Sequence, residues 1–277
     1  MKLKFVKLDP SGNTTAIILD PLPRDLYQKI AAQLLKPESL AVEQVGFLEK
    51  AADAKTRLKL QMMGGEFCGN AARAFATWLV KENWPGVCQL AGTQQQIVAV
   101  QTSGYSGQLK AIVQPVDLSL EQYQTEITMP LPEYIKEYYL GQNYYLVVGF
   151  EGIVHIIAWD VIPSNEQFYF IKNNMPEITE PANCFGVMFY QAAQQLVTPL
   201  VYVKKVNSLI WESSCGSGSA AIAAARAYRN KKSVNSLVLK QPRGEITVRA
   251  DWKGGVDKIY ISGSVLIKAE GTVYVNI

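Results

Sequence analysis

Apolar residues along the chain recur mostly in short runs with an every-other-residue rhythm. That spacing puts alternate side chains on one face of a β-strand. It predicts strands at residues 4–8, 16–19, 45–48, 58–62, 96–101, 109–113 and 126–129, and again at 145–148, 154–158, 184–190, 196–203, 236–240, 245–250, 258–262 and 272–277. These runs are rich in Val, Ile and Tyr, and Gly, Pro, Asn or Asp punctuates the gaps between them. Four stretches carry helical spacing instead: 24–35, 70–82, 164–173 and 218–231. Many antiparallel strands with few helices make an α+β arrangement. The segment 116–124 lies between two strand-rich blocks and is expected to mark the passage from a first domain, residues 1–120, to a second, 121–263.

Within this pattern one unit occurs twice. Phe67-Cys68-Gly69-Asn70 leads into the Ala-rich stretch AARAFATWLVKE, and Ser214-Cys215-Gly216-Ser217 leads into GSAAIAAARAYRNKK. Each half therefore carries a Cys-Gly turn opening a strong helix. A thiol at a helix N-terminus feels the positive end of the macrodipole and the unpaired N–H groups of the first turn, which favour the thiolate. The same N–H groups suit a carboxylate. Two such turns facing each other would clasp one anionic ligand between two thiols. Cys88 and Cys184 sit in apolar surroundings without a following Gly and are read as core. The string Gly216-Ser217-Gly218-Ser219-Ala220-Ala221 also fits GxGxxA, but no buried strand precedes it and no acidic residue follows at the dinucleotide spacing.

Composition narrows the chemistry. The 277 residues are 48% hydrophobic and 18% charged, enough to bury a sizeable core. The net charge of +3 is scattered along the chain and argues neither for nucleic acid nor for an anionic membrane. The most apolar stretch, 144–162, is broken by Glu151, His155 and Asp160, so no membrane span is expected. The opening MKLKFVKLDPSGN spaces its lysines between apolar residues and lacks a signal-peptide core; a soluble, cytoplasmic protein is expected. Four cysteines without a CxxC pair and one histidine, His155, offer neither a zinc site nor a disulfide framework. Neither a GxSxG elbow nor a phosphate-binding GxxxxGK[ST] loop is present. The reading is of a protein without metal or cofactor.

Taken together, these residues resemble the diaminopimelate epimerase family, amino-acid racemases that work without pyridoxal phosphate. The markers run along nearly the whole chain: Pro10-Ser11-Gly12-Asn13, residues 44–49, the Cys68-Gly69-Asn70 turn, His155, and Glu212 with Cys215-Gly216-Ser217-Gly218. The resemblance implies two similar domains, each a strand-rich sheet wrapped around a central helix, with the active site in the interdomain cleft. It implies a C-terminal strand, 264–277, returning to the first domain, and a homodimer. It also implies a two-base reaction on a small amino-acid substrate, in which one thiolate removes the Cα proton and the opposing thiol delivers another. Cys68 and Cys215 are the implied acid–base pair. Glu212, three residues before Cys215, would orient or polarise its thiol, and His155 would tune the protonation of the first thiol. Asn13, Gln44, Gly69, Asn70, Gly216 and Ser217 match substrate-contacting positions.

The chain departs from the epimerase pattern where that pattern holds a substrate's distal amino-acid end. It reads Ser208-Leu209-Ile210-Trp211-Glu212 in place of a Glu-Arg pair, and Gln61-Met62-Met63-Gly64-Gly65-Glu66 in place of an Asn–Ala–Asp–Gly stretch. A closer resemblance is to the histidine racemase branch that serves opine-metallophore synthesis, which shares Glu43-Gln44-Val45-Gly46-Phe47, Glu66-Phe67-Cys68-Gly69-Asn70 and Leu209-Ile210-Trp211-Glu212. Glu43 would then accept from an imidazole N–H or another basic side chain. The alternatives are a diaminopimelate epimerase or broad-specificity racemase of the same fold, a same-fold isomerase of other substrates, and a non-catalytic protein that binds a carboxylate between two helix ends.

Overall fold

The computed structural model describes residues 1–50, 58–204 and 207–277. Two compact units divide the chain: Met1–Thr128 with Ser262–Ile277, and Met129–Ile261.

In the first unit β1 (Lys2–Pro10) and β2 (Thr15–Ile18) form a hairpin. A 3₁₀ turn at Arg24–Leu26 and α1 (Tyr27–Leu34) then lead to β3 (Gln44–Lys50), parallel to β2. β4 (Leu58–Met62) returns antiparallel along β3. After α2 (Gly69–Lys81) and the two-residue β5 (Cys88–Gln89), β6 (Gln96–Thr102) lies parallel to β4. β7 (Leu109–Asp117) and β8 (Gln122–Met129) complete a meander with β6.

The second unit runs through the same order of connections. β9 (Tyr134–Leu140), β10 (Asn143–Phe150) and β11 (Ile153–Trp159) form a meander. α3 (Asn165–Asn174) and α4 (Pro176–Thr179) lead to β12 (Cys184–Gln191), parallel to β11. β13 (Leu196–Val203) is antiparallel to β12 and carries β14 (Ser208–Trp211) on its other side. α5 (Gly216–Asn230) crosses to β15 (Val234–Gln241), which meets β13 in parallel, and β16 (Gly244–Trp252) returns along β15. β17 (Val256–Tyr274) starts in the second unit and ends in the first, where it pairs antiparallel with β1 around a bulge at Lys7/Leu8.

The two expected strands 258–262 and 272–277 are thus one strand ending at Tyr274. Its middle lost the alternating pattern because residues 268–272 are exposed, while the hydrogen-bonded register to β1 continues through them. Likewise β9 and β14 contain no fully buried residue, so no apolar alternation announces them.

Each unit is built around one buried helix. Every residue of α2 except Lys81 is buried, and the helix packs against β1, β2, β6 and β7. α5 is buried from Gly216 through Ala225 and packs against β10, β11, β15 and β16. A helix that is mostly apolar on every side sits inside, and its alanines allow the surrounding backbone to close in. Each ends on a left-handed residue. Asn83 (φ 47°) lets Trp84 N–H return to the Leu79 carbonyl at 2.9 Å, and Lys231 (φ 51°) does the same for Lys232 and Ala227 at 3.3 Å. α1 and α3 each bury a single stripe, Tyr27, Ile30, Ala31 and Leu34 in one, Phe168 and Ile171 in the other.

Cys184 is buried on β12, but Cys88 is exposed, contrary to its reading as core: β5 is a two-residue edge whose burial pattern shows both positions at the surface. No helix among the described residues is long and apolar enough to cross a membrane.

Candidate active site

Cys68 is the N-cap of α2 and Cys215 the N-cap of α5. Both have extended backbone (φ −131° and −124°), and the sulfur of each accepts from the N–H three residues on, Ala71 at 3.4 Å and Gly218 at 3.3 Å. A cap residue must stand outside the helix while its side chain turns back to the first-turn N–H groups, so the cap geometry fixes the sulfur. Cys68 is partly exposed; Cys215 is buried. Neither these two nor Cys88 and Cys184 are in disulfides.

Around Cys215 the second unit gathers several polar groups. The Ser217 hydroxyl lies 3.6 Å from Sγ and 2.9 Å from His155 Nε2. Burial brings the wholly buried His155 down to about 3, so its ring is neutral at ordinary pH. Burial also pushes the Cys215 thiol well up. The Glu212 carboxylate, hydrogen-bonded to it, acts in the same direction, against the Gly218 N–H and the Ser217 hydroxyl. Glu212 stands just beyond β14, where its N–H donates to the Pro199 carbonyl at 3.0 Å. The peptide of Cys215 is held from below: its N–H donates to Gln241 Oε1 at 2.7 Å, while Gln241 Nε2 donates to Ser219 Oγ at 2.9 Å. Gly218 leaves room for Met188, whose sulfur would lie 2.1 Å from a Cβ there.

Around Cys68 the first unit is differently equipped. The Pro10–Asn13 turn places Ser11 (φ 59°) and Gly12 (φ 92°) in left-handed backbone. Gly12 N–H donates to Asp9 Oδ1 at 2.7 Å, and Ser11 N–H donates to the Ser264 carbonyl at 3.0 Å. Asn13, buried after the turn, donates through Nδ2 to Glu43 Oε2 at 2.9 Å, and both Glu43 and Gln44 donate backbone N–H to the Thr14 carbonyl. Asn70 is buried in the first turn of α2, and its Oδ1 accepts from Arg73 at 2.9 Å. Beneath the Cys68 turn, Ser103 Oγ accepts from Met62 N–H and donates to the Glu66 carbonyl at 2.8 Å.

Residues 2–274 match the family described as the histidine racemase CntK N-terminal domain. The chain belongs to the histidine racemase family. A histidine racemase of Fusobacterium nucleatum subsp. nucleatum is 33% identical to it, over 99% of this chain and 97% of the relative. The family places the chain among isomerases of the racemase and epimerase class. Among solved structures, a hydroxyproline epimerase from Agrobacterium vitis with bound trans-4-hydroxy-L-proline is similar at a TM-score of 0.66 and 12% identity, covering 98% of this chain and 92% of the other. A PhzF-family phenazine biosynthesis protein from Bacillus anthracis is similar at 0.65 and 15%, covering 99% and 100%. At such identities the likeness concerns the fold, a mixed, strand-rich fold with few helices that is shared with these proteins.

For this member of the histidine racemase family, the sequence-derived site residues fall into two sets. Asn13 and Glu43 meet in the first unit, which also carries Gln44, Cys68, Gly69 and Asn70; Cys215, Ser217, Glu212 and His155 form one hydrogen-bonded group in the second, beside Gly216. The resemblance implied that His155 tunes the first thiol, whereas the hydrogen bond described for it runs to Ser217 of the second turn. Arg73, Ser103 and Gln241 went unnoticed in the sequence. Of these only Arg73 left a signal, a single charge inside the apolar string AARAFATWLV.

Proposed function

We propose that the protein racemises free histidine without a cofactor, by proton transfer between Cys68 and Cys215. The Cys68 thiolate takes the Cα proton and leaves the bonding pair on the substrate, and the Cys215 S–H delivers its proton to the opposite face. The product state holds a Cys68 thiol and a Cys215 thiolate, ready for the mirror-image turnover. The α-proton is weakly acidic, so charge developing on the carboxylate needs donors; first-turn N–H groups of two helices are suited to supply them. The observation that carries this reading is the pair of N-cap thiols, one per unit, each fixed by an N–H three residues on, in a chain of the histidine racemase family.

Two similar domains descended from one unit, each a sheet around a central helix in the manner of diaminopimelate epimerases, suit a reaction whose two directions are mirror images. The repeated order of hairpin, helix, parallel strand, hairpin, central helix and parallel strand supports that reading. For the substrate side chain, Glu43 is the group we assign to the imidazole N–H, its carboxylate being held at one oxygen by Asn13.

The test is α-proton exchange from D₂O, followed by NMR, over a panel of amino acids that includes histidine and LL-diaminopimelate. Histidine should be the best substrate by kcat/KM, activity should survive chelator and carbonyl reagents, and Cys68→Ser and Cys215→Ser should each abolish racemisation. Near wild-type turnover in either mutant would refute the two-base assignment, and a preference for LL-diaminopimelate would refute the substrate. Glu43→Ala should weaken histidine more than an aliphatic amino acid.

A further inference from the structure

Arg73 is completely buried, and among the described residues its three hydrogen bonds all come from Nη2 and go to neutral oxygens: Asn70 Oδ1 at 2.9 Å, Ser11 Oγ at 3.2 Å and the Pro10 carbonyl at 3.4 Å. Nε and Nη1 are equally buried and have no hydrogen-bond partner among the described residues. A buried guanidinium without a bonded carboxylate is costly, and a buried donor without a partner calls for an explanation. Helical side chains lean toward the N-terminus, over the residues three and four positions earlier. Arg73 therefore covers the first turn of α2, the turn that Cys68 caps.

Among the described residues the second thiol has no such neighbour on its helix. Five residues after Cys215 stands Ala220, where five after Cys68 stands Arg73. The two arginines of α5 lie further along the helix: Arg226 donates to the Tyr190 hydroxyl at 2.7 Å, and Arg229 lies over the Tyr144 and Trp159 rings. Three residues before Cys215 stands Glu212, where three before Cys68 stands Gly65. The two caps share their backbone geometry, but Cys68 has the Arg73 guanidinium over its helix turn and Glu66 two residues before it, whereas Cys215 has the Glu212 carboxylate hydrogen-bonded to its thiol.

We propose that Arg73 is a positioning residue that makes Cys68 the proton acceptor of the resting enzyme and leaves Cys215 the proton donor. The guanidinium holds Asn70 and the Ser11 turn in place and sets a fixed positive charge against the Cys68 sulfur. Burial brings Arg73 down only to about 10, so it stays charged at neutral pH, and the charges that act on it are Cys68, from its own helix end, and Asp9 of β1. Of the other strands packed on α2, β2 and β6 carry no titratable side chain. On β1, Lys2 and Lys4 are exposed and Lys7 donates to the Leu40 carbonyl; on β7, Lys110 is exposed and Asp117 accepts from Ser119.

This inference rests on Cys68 being one of the two proton-transfer groups, but its test does not require turnover. Iodoacetamide modification of each cysteine would be followed by peptide mass spectrometry across pH, for wild type, Arg73→Gln and Arg73→Lys. The Cys68 midpoint of the folded wild type should lie below that of the same thiol in the urea-unfolded chain, and below that of Cys215. Arg73→Gln should raise it by about one pH unit or more, the effect expected on losing an adjacent opposite charge, with roughly tenfold slower modification near neutrality. Arg73→Lys, which keeps the charge, should restore most of the difference; a purely structural arginine would leave the midpoint unmoved in all three. A wild-type Cys68 midpoint at or above the unfolded value, a Cys215 midpoint below that of Cys68, or coincident midpoints in folded wild type and Arg73→Gln would each overturn the proposal. Where near-UV circular dichroism shows Arg73→Gln unfolded, Arg73→Met, which keeps an apolar stem in the buried site and removes the charge, takes its place with the same expected and overturning results.

Discussion

Burial and the Glu212 carboxylate act in the same direction on Cys215, and both favour the protonated thiol. Glu212→Gln removes the carboxylate and leaves the burial. It should bring the Cys215 alkylation midpoint down by about one pH unit, and an unchanged midpoint would show that burial alone holds the proton. His155 makes a second, separate pH statement. Its ordinary value is 6.5 and its folded value about 3, so above 6.5 both folded and unfolded chains carry it neutral and its contribution is fully present. As the pH falls below 6.5 the unfolded chain takes up a proton that the folded chain refuses until about 3. Stability is therefore lost across that window at roughly 1.4 kcal/mol per pH unit. His155→Gln should flatten the decline of the urea midpoint between about pH 6 and 4 by about that slope; a decline as steep as in wild type would assign the proton elsewhere.

The central helices make the thiols' two duties separable. As N-caps, Cys68 and Cys215 satisfy a first-turn N–H, a task that serine performs well. In the acid–base role proposed for them they have no substitute in a hydroxyl. Cys68→Ser should thus lose racemisation while its thermal midpoint stays level or rises, a stability change within about 1 kcal/mol; a large loss in differential scanning calorimetry would mean that the sulfur is needed for packing. The parallel strand that follows each helix supplies the support beneath the cap, Ser103 just past β6 and Gln241 at the end of β15. Gly104 belongs to that support. Its φ of +69° suits glycine, and an added Cβ would lie 2.2 Å from the backbone nitrogen of Phe67, the residue before Cys68. Gly104→Ala should destabilise by more than about 1 kcal/mol and lower kcat, as read from urea unfolding and initial rates. Unaltered values would show that the Cys68 turn tolerates displacement.

For the whole molecule, superposing the two units tests the duplication: α2 and α5 should coincide along with their flanking parallel pairs, and a failure of the helices to overlay would end the idea. Much of this architecture is already legible in the one-dimensional pattern. A thiol and a glycine opening an alanine-rich helix are neighbours in the chain, so the Cys68 and Cys215 caps could be read directly, as could strands such as β4 and β16 whose apolar residues recur at the strand period. β9 could not, since a strand with no fully buried residue writes no such pattern, and the exposed middle of β17 could not for the same reason. The chain thus determines by itself what depends on fixed backbone spacing: the type of most elements and the two cysteine helix caps. Tertiary structure alone decides which side chains meet across long separations, and so which charge each thiol feels. Asn13 reaches Glu43, His155 reaches Ser217, Arg73 reaches Ser11 and Gln241 reaches the Cys215 peptide because strand register and crossovers bring them together. Burial then decides the electrostatics, since a guanidinium, an imidazole or a thiol behaves according to whether water or protein surrounds it. No local spacing encodes that environment.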